Sequence, residues 1–222
     1  MHSKKSIAEN LPDTISIIEE AVKKVKPTNN FSIYVNKIEQ EAHLLYLKYE
    51  KEAIKNLFLD VISEFMSEIS TSIANTRRSR GGKSSEYIIS FALKEIGIPN
   101  EVIGNKKEEE NSYYPDIAIP SYNELKSGKG IALAIKRTLR ERWREDISIF
   151  KFPKAAFVCL SGSSDLTVNK LLDMEKEGIK VLFIEENLFS KHKNFIESGI
   201  KQMEVYPLSK LPWWIKKNLS NL

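Results

Sequence analysis

The first 75 residues place apolar side chains at helical spacing. "LPDTISIIEEAVKKVK" predicts a helix with Asp13 or Thr14 as its cap, an acidic first half and a basic end. Pro27, Asn29 and Asn30 break it. The stretch "IYVNKIEQEAHLLYLKYEKEAIKNLFLDVISEFMSEISTSIA" keeps the period and predicts two helices, with no residue that fixes the break. "NTRRSRGGKSS" reads as a polar, basic loop. "SEYIISFALKEIGIP" then predicts an amphipathic helix with Ser84 or Ser85 near its cap, ended by Gly97 and Pro99.

Beyond the charged loop "GNKKEEENS" the pattern changes to strands. "YYPDIAIP" is short and bounded by prolines. "GIALAIK" is a continuous apolar strand after a turn at Gly128 and Gly130, and "AAFVCLS" and "KVLFIEE" are two more of that type. Between these two, "DLTVNKLLDMEKEG" predicts a helix capped by Asp165 or Thr167 and stopped by Gly178. Strand, helix, strand at this spacing predicts a right-handed crossover in a partly parallel sheet. The tail "LPWWIKKNLSNL" is apolar enough to pack back on the core.

Composition narrows the class. With 222 residues, 41% hydrophobic, the chain suffices for one domain: a helical part over 1–75 and an α/β part over 76–222. A net charge of +4 permits a nucleic-acid partner without requiring one. The single cysteine, Cys159, excludes an internal disulfide, suits a reducing cytoplasm and reads as a small buried hydrophobe. No apolar run approaches the roughly 20 residues of a membrane helix, and "MHSKKSIAEN" lacks a signal-peptide core. His2, His43 and His192 are scattered, with no zinc spacing. "GGKS" is not a phosphate loop, because Arg77 stands where its first glycine is required, so no nucleotide cofactor is expected. "LSGSSD" lacks the nucleophile-elbow pattern.

Two residues carry candidate chemistry. Pro115-Asp116 opens one strand and Lys136 closes the next. A lysine ending a buried strand needs an anionic partner, and Asp116 on the neighbouring strand is the natural one. A carboxylate holds Mg²⁺ through oxygen, and a nearby ammonium orients a water and stabilises charge on a pentavalent phosphate. Read alone, Pro-Asp is also a common turn. The arrangement resembles the PD-(D/E)XK nuclease core, a mixed central sheet flanked by helices. The usual acid two residues before the lysine is replaced by Ala134.

"KRTLRERWRE", Lys136 to Glu145, resembles the Lys-x-x-x-Arg-Glu-Arg-Trp-Arg segment of the EcoRII, SsoII and PspGI group of type II restriction endonucleases, and more loosely the NgoMIV group. The resemblance spans roughly residues 77–146. It implies that Asp116 binds metal, that Lys136 is the catalytic lysine, and that Arg140, Glu141 and Arg142 read bases of a C·G-rich half-site. The physics agrees: Arg donates twice to guanine O6 and N7, and Glu accepts from cytosine N4. A solvated helix face with internal ion pairs is the competing reading of the triplet, and Trp143 beside it reads as core.

In that group the second acid stands on the following helix, thirteen residues after the lysine. Here that position is Ile149. Glu145 and Asp146 lie four and three residues earlier, on the same face of an α-helix, and are the candidate replacements for the metal site. Glu86 matches a family glutamate that approaches the metal, or else serves its helix dipole. Arg77, Arg78, Arg80 and Lys83 suit phosphate contacts, or form an ordinary solvated loop. The implied function is a Mg²⁺-dependent type II restriction endonuclease. It would cut double-stranded DNA as a homodimer at a palindrome with a CC/GG core, of the CCGG or CCNGG kind. The alternatives are a non-catalytic DNA-binding protein on a degenerate nuclease fold, and a helical interaction module with no DNA role.

Overall fold

The computed structural model describes residues 11–58, 83–103, 114–137, 141–160 and 166–219; for 55–58, 141, 142, 145 and 146 it describes the backbone alone. Helix α1 spans Thr14–Lys24. Of the two candidate caps, Asp13 serves: its carboxylate accepts the Ser16 N–H at 3.0 Å and the Ser16 hydroxyl at 2.7 Å. Lys23 and Lys24 complement the carbonyl end. Helix α2 runs without interruption over Phe31–Phe58, so the expected break does not fall before Phe58. Asn30 both breaks the preceding helix and caps this one, accepting the Ile33 N–H at 3.2 Å.

Helix α3 is described over 83–95, with Ser84 and Ser85 in its first described turn; Ser85 is buried. The helix ends as expected at Gly97, whose φ of 77° suits only a residue without a Cβ. The Gly97 N–H donates to Lys94 O and the Ile98 N–H to Leu93 O, both at 2.9 Å, satisfying the last carbonyls.

Six strands form one mixed sheet in sequence order: β1 Glu101–Val102, β2 Ile117–Ile119, β3 Ile131–Lys136, β4 Ala155–Cys159, β5 Val181–Ile184 and β6 Glu204–Pro207. The first three are antiparallel to one another and the last four run parallel. Helix α4, Tyr122–Lys126, joins β2 to β3. Gly130 follows it because a Cβ there would stand 2.6 Å from Leu125 Cα. A 3₁₀ helix over Glu141–Lys151 precedes β4. Helix α5, Val168–Lys176, is capped by Thr167. Helix α6, Glu186–Gly199, leads into β6, and a 3₁₀ turn at Leu208–Lys210 leads into α7, Leu211–Leu219.

Strand alternation divides the core between the two sheet faces. Ile117, Ile119, Ile131, Leu133 and Ile135 cluster with residues of α1, α2, α3 and α7. Ala118, Ala132, Ala134, Phe157 and Cys159 cluster with Trp143, Ile149 and residues of α5 and α6. Covered on both faces, β3 and β4 are apolar at consecutive positions. Among the described residues no helix is long and apolar enough to cross a membrane.

Candidate active site

Asp116 occupies a bend immediately before β2, after the buried Pro115. Both its backbone groups are used. Its N–H donates to Leu133 O and its carbonyl accepts the Ile103 N–H, each at 3.0 Å. Its carboxylate reaches across to β3, where Oδ2 accepts the Ile135 N–H at 2.6 Å. Hydrogen bonds to an ionised carboxylate are short and strong, so this one fixes the side chain's direction. The carboxylate is thereby held one residue from Lys136.

Lys136 is the last residue of β3 and the only one of the six that is not fully buried. Its carbonyl accepts the Leu160 N–H at 2.7 Å, and its Cα pairs with Cys159. The neighbouring parallel strand therefore anchors its backbone. Alternation places residues 132, 134 and 136 on the face that carries Trp143. Ala134, where the common motif has an acid, is fully buried in that apolar cluster. The second acid does not come from β3.

The segment after Lys136 differs from the expected α-helix. It is a 3₁₀ helix from Glu141 to Lys151, with three residues per turn, so positions 143, 146 and 149 align in one row. Trp143 and Ile149 are both buried in the alanine-rich face of the core. Ile149 is a packing residue, and position 146 stands between these two anchors. Position 145 belongs to a different row, whereas an α-helix would have let 145 and 146 serve equally. Arg144 is exposed, stacks over the Trp143 ring at 4.8 Å and meets Glu177 at 3.3 Å. Arg140 and the side chains of Glu141, Arg142, Glu145 and Asp146 lie outside the described residues.

Lys83 is exposed at the start of the described part of α3, and Glu86 is half-buried one turn later. Arg77, Arg78 and Arg80 lie outside the described residues. Helix α3 packs through Ile88, Ile89, Ala92 and Leu93 in the cluster on the far side of the sheet from Ala134. Beside Glu86, burial pushes the Tyr87 phenol up, with a further contribution from the negative charges of Glu86 and Asp13. Among the described residues, no group of three or more His, Cys, Asp or Glu is placed to hold a metal ion. One oriented carboxylate still fits Mg²⁺, which takes one or two carboxylates and otherwise waters and phosphate oxygens.

Three further groups, Glu39, Arg137 and Glu185, carry no signal in residue pattern or spacing. The Arg137 guanidinium meets the Glu39 carboxylate of α2 at 2.7 Å. Glu185, at the end of β5, is raised above the usual carboxylate range by burial and then by the charges of Glu39 and Glu186. A groove of about 700 Å³ lies elsewhere, lined by residues that include Asn30, Tyr34, Trp213 and Lys217; neither Asp116 nor Lys136 borders it.

The chain is similar to several known proteins. It is 31% identical over 164 residues to the type II restriction enzyme SsoII of Shigella sonnei, a match covering 65% of this chain and 53% of that one. The chain thus spans about half the length of this curated relative. Its fold superposes on a restriction endonuclease PspGI–substrate DNA complex with a TM-score of 0.82 at 22% identity, over 100% of this chain and 98% of that one. Against metal-depleted Ecl18kI in complex with uncleaved, modified DNA the TM-score is 0.74 at 16% identity, over 96% and 80% of the two chains. The mixed sheet, Asp116 held against β3 and Lys136 at that strand's end therefore sit on the fold of these nucleases. The model of the EcoRII C-terminal family matches residues 42–205, and the chain belongs to that family.

Proposed function

We propose that the chain is a Mg²⁺-dependent type II restriction endonuclease, a single domain acting in the cytoplasm on double-stranded DNA. The observation that carries the reading is the Asp116 carboxylate held by the Ile135 N–H beside Lys136. The family supports it, as do the two solved neighbours, both described as DNA complexes.

Asp116, with Asp146 or Glu145, would hold Mg²⁺ against a backbone phosphate, where the cation would neutralise charge and make a bound water more acidic. The Ile135 N–H keeps Asp116 aimed without reorganisation. The Lys136 ammonium orients the attacking water and stabilises the charge that grows on the phosphate oxygens as the P–O bond breaks. Glu86 would complete the acidic side of the site. Arg140, Glu141 and Arg142 read a CC/GG core, of the CCGG or CCNGG kind, in the major groove. Arg77, Arg78, Arg80 and Lys83 contact phosphates and set register. A homodimer gives each strand of a palindrome its own site.

A second reading has one observation behind it. Ala134 and Ile149 are buried apolar residues at the two positions where such nucleases place the second acid. It makes the chain a DNA-binding protein on a degenerate nuclease fold. Incubating plasmid DNA with the purified chain separates the two. Nuclease activity yields discrete bands with Mg²⁺ and none with chelator, whereas salt-sensitive binding without cleavage supports the second reading.

A further inference from the structure

Resting on the nuclease reading, we infer that Glu39 and Arg137 form a positioning pair that ties the end of the catalytic strand to helix α2. Arg137 directly follows Lys136, and its guanidinium lies 2.7 Å from the Glu39 carboxylate. The pair joins two elements that no backbone ladder connects. Strand alternation turns Arg137 to the face covered by α2, opposite the face Lys136 shares with Ala134. Six residues further, Trp143 is buried in the other face of the core. Residues 138–142, which include the Arg-Glu-Arg triplet, are therefore bracketed by an ion pair at one end and a buried indole at the other.

Glu39 is the less exposed partner, at 22% against 43% for Arg137. The half-buried Glu185, just past β5, has its carboxyl raised by burial and then by the negative charge of Glu39. Arg137 thus meets a carboxylate of α2 and marks the junction between the cleaving lysine and the reading residues. An exposed ion pair contributes little to stability, so its effect falls on geometry at that junction. Misplacement by about an ångström near reacting groups costs on the order of a hundredfold in rate.

The test compares Glu39→Gln, Arg137→Met, the double variant and the exchanged pair Glu39→Arg with Arg137→Glu. Each is measured for thermal stability, for binding to random duplex DNA, and for single-turnover cleavage of a duplex carrying the mapped site. Positioning predicts about a tenfold loss of cleavage rate in each single variant, a double variant no slower than the singles, and partial rescue by the exchange. Melting and random-DNA binding by Glu39→Gln stay close to the parent. Additive losses, or a loss confined to the binding constant of Arg137→Met, overturn the inference and make Arg137 a phosphate contact. A parent chain that cuts while Glu39→Gln cuts equally fast overturns the inference alone. A parent chain that cuts no DNA overturns the nuclease reading and this inference with it.

Discussion

The Asp116 carboxylate accepts the backbone N–H of Ile135, nineteen residues along the chain, at 2.6 Å. This bond fixes an acid on one strand against the residue that precedes the lysine on the next. Asn in place of Asp116 retains an acceptor for that N–H but removes the charge a cation needs. Asp116→Asn is expected to melt within a few degrees of the parent and to lose cleavage by about 10² or more. Cleavage at the parental rate would remove Asp116 from the chemistry.

The 3₁₀ geometry of 141–151 separates two acids that an α-helix would have left equivalent. By backbone spacing, position 146 falls in the row of Trp143 and Ile149, three residues from each, and position 145 falls outside it. Asp146→Ala is expected to raise the Mg²⁺ concentration for half-maximal cleavage at least tenfold, with Glu145→Ala near the parent. The reverse order would mean that the second acid is Glu145. Two parental results would direct attention to Glu86.

Glu141→Ala is expected to lose discrimination at a C·G pair by roughly 1–3 kcal/mol, while Arg77→Ala weakens binding about equally on all sequences. Both are compared at one salt concentration, because phosphate contacts vary with ionic strength. Equal shifts on specific and random DNA for both variants would make the triplet a charged face and not a reading head.

Much of this fold follows from local pattern. The apolar runs in β3, β4 and β5 and the caps at Asp13 and Thr167 are visible because neighbours in sequence make them. The stops at Gly97 and Gly178 are visible for the same reason. Strand β6 was not: "EVYP" is a four-residue edge strand ending in proline, with one fully buried residue. Helix α6 escaped too, since its core contacts come from few residues, Leu188 and Ile196 among them. The 3₁₀ form of 141–151 reflects the burial of Trp143 and Ile149, a tertiary demand that helical propensity does not carry. The placement of Asp116 just before β2 and of Lys136 at the end of β3 was legible from residue type and spacing. The Ile135 N–H and the Arg137–Glu39 pair were not, because each joins segments distant in the chain.

Acid stability offers an independent check on the fold. Glu175 of α5 accepts the backbone N–H groups of Gln202 and Lys201, the residues leading into β6, and these bonds hold its carboxyl below the usual range. A depressed folded-state pKa contributes stability that is present above the unfolded value and lost as pH falls through the folded one. Glu175→Gln is expected to lower the melting temperature by about 2 °C at neutral pH. Its deficit against the parent should shrink below the ordinary glutamate range. A deficit that grows on acidification would contradict the assignment.

Whether a phosphodiester bond is cut beside Lys136 is decided by one paired measurement. Parent and Lys136→Ala proteins are each titrated onto a duplex carrying the mapped site, then supplied with Mg²⁺ and followed through a single turnover. Lys136→Ala is expected to bind the specific duplex within a few-fold of the parent and to cleave it slower by at least about 10². Lys136→Ala protein that binds and cleaves at the parental rate would contradict cleavage beside Lys136.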